Sequence, residues 1–334
     1  MRRTRVLPGL LLLTVLGSML ACPAPDPIDP GGGGGFPGGN NGGGRDGGTD
    51  GGTPDGGRPD GGGGGGGSDG GFTGLDLRFK FVPTGQTYSG DVAQVTSDPA
   101  TAAANLANNG HAIAGALWNS AGYTLLGVKP LGTPRTYLTD TRTSTSPGLG
   151  GTMSSLGSGG FVVTGFTFND FTGYNLVGLK PLGENRVFTS SVQQVSGLNL
   201  GTAAQSLATS GFVVTGLFYN SAGYNLVGFK ENGVTRSLSA DVRSATAAEL
   251  ANTVQALGTA GYVVTAIVYV GSNVGYTLVS MKDNTESRTF TTNVQLVSGN
   301  NLKSTLQTLG AAGFITTAAY SDDSLNGYLL VGTK

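Results

Sequence analysis

The chain has one cysteine, one histidine and few charges, and each shortage removes a class of function. A lone cysteine excludes a disulfide framework and any cysteine-rich zinc site. A lone histidine, His111, excludes most histidine-dependent catalysis. No second histidine, cysteine or acidic cluster stands at ligand spacing from it, so no metal and no cofactor are expected. Charged side chains make up 12% of the 334 residues, and the formal net charge is −1. From Phe72 onward there are 14 Lys and Arg against 13 Asp and Glu, without the basic surplus that nucleic-acid binding needs. Phosphate-loop, nucleophile-elbow and kinase signatures are also missing.

Glycine is abundant instead, at 61 residues, and 25 of these fall in the 41 positions from Gly31 to Gly71. That stretch has no aliphatic side chain and follows Pro23, Pro25, Pro27 and Pro30. It has too little apolar surface to offset its conformational entropy, so residues 22–71 are expected to be a disordered tether. Its Asp-Gly-Gly steps lack the nine-residue period of calcium-binding glycine-aspartate repeats. Before it, Arg2, Arg3 and Arg5 precede an apolar run from Val6 to Ala21. The run is short for a membrane span, which takes roughly 20 residues, and has the pattern of a secretory signal over 1–21. Met19-Leu20-Ala21-Cys22 resembles the lipobox of bacterial lipoproteins. The resemblance implies that Cys22 becomes the N-terminus and carries several acyl chains. More than one acyl chain is what stable membrane anchoring requires.

Residues 72–334 contain five copies of one unit of about 51 residues. Gly-Tyr followed by an apolar run recurs at Tyr123, Tyr174, Tyr224, Tyr276 and Tyr328, each run ending in a lysine: Lys129, Lys180, Lys230, Lys282 and Lys334. Upstream of each lies a glycine followed by a ring: His111, Phe161, Phe212, Tyr262 or Phe314. Within a copy, 211–220 is β-branched and aromatic and reads as a strand. So does 224–230, joined to it by a short hairpin loop, and 236–242 alternates as a third. Leu250, Val254 and Leu257 then form the inward stripe of a helix. Matching stripes are Leu149, Met153, Leu156; Leu200, Ala204, Leu207; Leu302, Leu306, Leu309; and Pro99, Ala103, Leu106. Asp98-Pro99 and Ser146-Pro147 are helix starts, and Gly110, Gly160, Gly211, Gly261 and Gly313 are left-handed C-terminal caps.

Leu75–Lys80 has the register of the strand that ends in lysine. With it, the chain divides into five ββαβ units and a terminal strand, Tyr328–Lys334. The fold class is α+β, and so small a unit needs its neighbours for stability. No capping repeat flanks the array, which favours closure into a five-bladed α/β propeller over an open α/β repeat array. In unit count and element order the domain resembles the α/β propellers of the pentein superfamily, which includes amidinotransferases and arginine deiminases. The guanidine-modifying members use a cysteine nucleophile, and the only cysteine here is Cys22 in the signal, so their chemistry does not carry over.

Within the repeats, His111 stands in a slot that other copies fill with Phe or Tyr, so packing is its expected role. Asp91, Asp140, Ser191, Asp241 and Asn293 share one register and read as turn or cap residues. The alternative is that Asp91, Asp140 and Asp241 gather near a pseudo-symmetry axis and act on a ligand. The hairpin tyrosines read as packing, or as a surface for stacking sugars. The lysines read as solvated charges that guard strand edges, or as a cationic rim for a polyanionic glycan.

The sequence thus points to an exported, monomeric bacterial lipoprotein, held to the membrane through Cys22 and placed at the outer membrane or cell surface. Its repeat domain is expected to be non-catalytic, binding an envelope glycan or protein and no nucleic acid. A hydrolase acting on an envelope polymer through the repeated aspartates, and a purely structural spacer, are the alternatives.

Overall fold

The computed structural model describes residues 86–132, 135–169, 173–322 and 327–334. Cys22, the glycine tract and Leu75–Lys80 lie outside them. The described chain repeats one order five times: strand, helix, strand, strand. The first unit is β1 (Tyr88–Val95), α1 (Pro99–Asn108), β2 (Ala112–Asn119) and β3 (Gly122–Pro130). The second is β4 (Tyr137–Ser144), α2 (Leu149–Ser158), β5 (Val162–Asn169) and β6 (Gly173–Pro181). Then come β7 (Phe188–Val195), α3 (Leu200–Thr209), β8 (Val213–Asn220) and β9 (Gly223–Glu231). The fourth unit is β10 (Leu238–Ala245), α4 (Leu250–Thr259), β11 (Val263–Gly271) and β12 (Gly275–Asp283). The last is β13 (Thr292–Val297), α5 (Leu302–Ala311), β14 (Ile315–Asp322) and β15 (Gly327–Thr333).

Each unit forms its own three-stranded sheet, ordered β1-β3-β2 in the first, with both pairings antiparallel. This changes the expected ββαβ frame. The strand after the hairpin pairs back with the strand before the helix, so the sheet is complete within a β-α-β-β unit. Tyr328–Lys334 is therefore no leftover but supplies β15, the middle strand of the fifth sheet. A tandem repeat read as letters can be cut at any element; only hydrogen-bond pairing fixes the frame.

The helix stripes are buried as their spacing predicts, with Met153, Leu156, Ala204, Val254 and Leu257 all at 0% exposure. Asp98 caps α1 by accepting from the Ala100 N–H at 2.9 Å, with Pro99 in the first turn. In α2 the expected start is displaced. Ser146 and Pro147 form a turn in which the Gly148 N–H reaches the Thr145 carbonyl, and the helix begins at Leu149. All five helices end in a left-handed glycine with φ of 81–85°, and the next N–H reaches back to a leucine carbonyl, as His111 does to Leu106.

The strand-end lysines have a role that sequence spacing did not show. Because β3 and its equivalents are middle strands, they guard no edge. Each ammonium instead donates to the carbonyl just past its own helix: Lys129 to Asn109, Lys180 to Gly159, Lys230 to Ser210, Lys282 to Ala260 and Lys334 to Ala312, at 2.9–3.2 Å. A cation there satisfies an orphan carbonyl and complements the helix dipole.

Neighbouring units meet in two layers. On the outside, each helix packs on the first strand of the next unit: α1 on β4, α2 on β7, α3 on β10, α4 on β13, and α5 on β1. On the inside, β2 packs on β5, β5 on β8, β8 on β11, β11 on β14, and β14 on β2. Each sheet stays open, so the units join through packing and side-chain bonds rather than a shared ladder.

Candidate functional site

The five inner strands, β2, β5, β8, β11 and β14, enclose a cavity of about 310 Å³ to which every unit contributes. Its base is set by a β-bulge shared by all five strands. The register shifts at Ala114, Thr164, Thr215, Thr265 and Thr317, leaving one extra residue in each strand, and all five are buried. Directly after the bulge stand Gly115, Gly165, Gly216, Ala266 and Ala318. A Cβ on Gly165 would lie 2.8 Å from the Ala116 Cβ, and one on Gly216 would lie 2.9 Å from the Phe166 ring, so small residues are what allow the strands to converge here. One step up are Ala116, Phe166, Leu217, Ile267 and Ala319. The two alanines, on the neighbouring strands β2 and β14, leave the space that larger side chains fill elsewhere. Trp118, Phe168, Tyr219, Tyr269 and Tyr320 line the mouth, where Tyr219 is 44% exposed.

Among the described residues, no carboxylate, amine, guanidinium, imidazole or thiol lines this cavity. Its polar groups are hydroxyls, the Asn119 amide and backbone. Asn119 is already committed, donating to the Tyr328 hydroxyl at 3.2 Å and accepting from the Ala121 N–H at 3.0 Å. The Thr167 hydroxyl is buried and has no protein partner.

The hairpin tyrosines lie elsewhere. Tyr123, Tyr174, Tyr224, Tyr276 and Tyr328 are all at or below 8% exposure and do not line the cavity. They join units. The Tyr224 hydroxyl bonds Thr277 of the following unit at 3.1 Å, and Tyr328 makes the equivalent bond to Thr124 of the first unit at 3.0 Å. Asn220 reaches Tyr174 as Asn119 reaches Tyr328. The faces of Tyr174, Tyr224 and Tyr276 are covered by Phe168, Tyr219 and Tyr269 of the paired inner strand.

Asp91, Asp140 and Asp241 are not brought together. Each sits mid-strand on β1, β4 or β10, opposite Gly127, Gly178 or Ser280, rather than in a turn. Asp140 pairs with Arg142 at 2.7 Å and Asp241 with Arg243 at 2.9 Å, while Asp91 pairs with Lys303 of α5 at 2.7 Å. Burial raises the Asp91 pKa, but the Lys303 ammonium and the Val92 N–H outweigh it and hold the carboxyl below its ordinary range. Among the described residues there is no group of three or more His, Cys, Asp or Glu side chains able to hold a metal ion.

No family model matches the chain, and a search of curated proteins finds no match. The functional reading therefore stands on the geometry above.

His111 occupies the ring slot expected of it, 7% exposed, but neither imidazole nitrogen has a hydrogen-bond partner. Burial lowers its pKa. Asp91 pulls the other way, and Lys129 and Lys303 add to the lowering. In other units the corresponding lysine lies over an aromatic face, as Lys334 lies 4.5 Å from the Phe314 ring centre. With a folded pKa below the unfolded value of about 6.5, the unfolded chain takes up the proton first, and stability falls as pH drops below about 6.5. His111→Phe is expected to raise stability by about 1–3 kcal/mol, the usual cost of unpaired buried polar atoms, and to flatten the profile between pH 5 and 7. Denaturant unfolding of both proteins across that range checks it; an unchanged slope would count against the assignment.

The cavity wall itself was not singled out in sequence. The signal was present as an aromatic at one register of four inner strands, Trp118, Phe168, Tyr219 and Tyr269, but apolar strand residues read as core until their shared orientation is known.

Proposed function

We propose that this is a lipid-anchored protein of the bacterial envelope. In this reading Cys22 carries the anchor, residues 22–71 form the tether, and the repeat domain is a monomeric closed five-bladed α/β propeller. The domain binds rather than transforms its ligand, in the central cavity. The observation that carries the reading is the cavity, built from equivalent strands of all five units and lined by rings and hydroxyls, with no acid, base or nucleophile of the usual catalytic kinds among the described residues. Closure is supported by the contacts of α5 with β1 and β14 with β2, which repeat those made between consecutive units. The dispersal of Asp91, Asp140 and Asp241, each beside its own cation, weighs against a hydrolase built on them.

The test is capture from native envelopes, with isolated peptidoglycan and envelope polysaccharide as parallel baits. Ala319→Phe places in β14 the ring that β5 carries at the same register, and should fill the cavity while leaving the fold intact. It is expected to weaken capture at least about tenfold, a loss of about 1.4 kcal/mol. Capture equal to that of the unmodified protein would remove the cavity from the function.

Anchoring is tested separately. Cys22→Ser should move the protein from the washed membrane fraction to the soluble one, since the lipidated residue is lost. Retention of the variant in membranes would overturn the lipoprotein reading.

A further inference from the structure

We infer that the central cavity takes an uncharged saccharide of roughly one or two pyranose rings. This rests on the cavity being a binding site and adds its ligand class. At about 310 Å³ it stands at the small end of ligand sites, with the volume of about ten waters. Charged ligands are disfavoured because the described residues of the wall offer no counter-charge, and burying an unpaired charge costs far more than the contacts return. A purely apolar ligand is disfavoured for a different reason. The wall mixes rings with tyrosine hydroxyls, and an apolar guest would desolvate those hydroxyls without pairing them. A sugar has what this wall lacks and needs. Its hydroxyls pair with those of Tyr219 and Tyr269, and its C–H faces lie against Trp118 and the tyrosine rings at the mouth.

Trp118 is the only tryptophan in the chain and lines the cavity, so its fluorescence reports occupancy directly. The full-length protein in detergent is titrated with cellobiose, maltose and chitobiose. Glucuronic acid and glucosamine serve as charged analogues, and Nile red as an uncharged apolar probe. At least one neutral sugar is expected to give a saturable Trp118 shift. Ala319→Phe should abolish the shift and Tyr219→Phe should weaken affinity about five- to tenfold, with the circular dichroism of both variants unchanged. Trp118→Phe should retain heat of binding in calorimetry while losing the optical signal. If Nile red binds in an Ala319-dependent way and no sugar does, the cavity remains a binding site and the saccharide assignment is overturned. Charged analogues binding as tightly as neutral ones would overturn it too. If neither the sugars nor Nile red perturbs Trp118, the binding-site reading itself fails.

Discussion

Deleting Tyr328–Lys334 is expected to unfold the whole repeat domain in a single transition. These residues form nearly all of β15, the middle strand of the fifth sheet, so both β13 and β14 lose their hydrogen-bonded partner. Tyr328, Leu329, Leu330 and Val331 are each at or below 5% exposure. At about 1.5–3 kcal/mol per large buried side chain, their loss approaches the whole net stability of an ordinary domain. The cut also removes the Tyr328 bond to Thr124 of the first unit and the Lys334 cap of α5. Hydrogen exchange resolved by unit is the measurement. In a closed propeller, β5 in the second unit loses protection together with β14, because no free end exists at which to fray. Full protection of β5 alongside loss of β14 is the signature of an open array, where each unit depends only on its neighbours, and would refute closure.

Gly310→Val is expected to lower stability by about 3 kcal/mol, at the upper end of overpacking penalties. A Cβ at Gly310 would contact the Tyr88 carbonyl oxygen of β1 and lie 2.9 Å from its carbon, so α5 can seat on β1 only without a large side chain there. Gly157 and Gly258 meet Phe188 and Phe290 of the following units in the same way. Ala107 and Ala208 hold this register in α1 and α3 and are buried, so a methyl group can be accommodated and a branched side chain cannot. The comparison with Gly157→Val makes the test specific. If the first and last units pack in solution as consecutive ones do, the two variants lose similar amounts, and melting falls by roughly 6–12 °C in each. A silent Gly310→Val beside a damaging Gly157→Val would show that α5 does not rest on β1. Gly151→Ala in α2, with nothing near its Cβ, is the control and should gain up to about 1 kcal/mol from helix propensity.

Local elements were legible because their signals are local. The leucine stripes, the glycine caps and the hairpin glycines each act within a few residues, and each does what its spacing implies. Register comparison also placed His111 correctly, since four aromatic equivalents define its slot. Three readings failed together, and for one reason. The ββαβ frame, the lysines as edge guards and the aspartates as turn residues all depend on which strand lies in the middle of the sheet. The residues near β3 do not say that it inserts between β1 and β2. Once it does, Lys129 can no longer guard an edge, and Asp91 falls opposite Gly127 in a ladder.

What the sequence by itself determined is the repeat: five units, the type of each helix and strand, and the buried face of every helix. These follow from periodicity and backbone preference, which are written in neighbouring residues. What only the tertiary structure decided is where the units touch and what they enclose. The hairpin tyrosines became bonds between units because Thr277 and Thr124 arrive from about 50 and 200 residues away in the chain. The cavity is lined by residues of all five units, with Ala116 and Ala319, also some 200 residues apart, among them. Side chains that meet only after the units pack leave no local pattern, and that is where the candidate site lies.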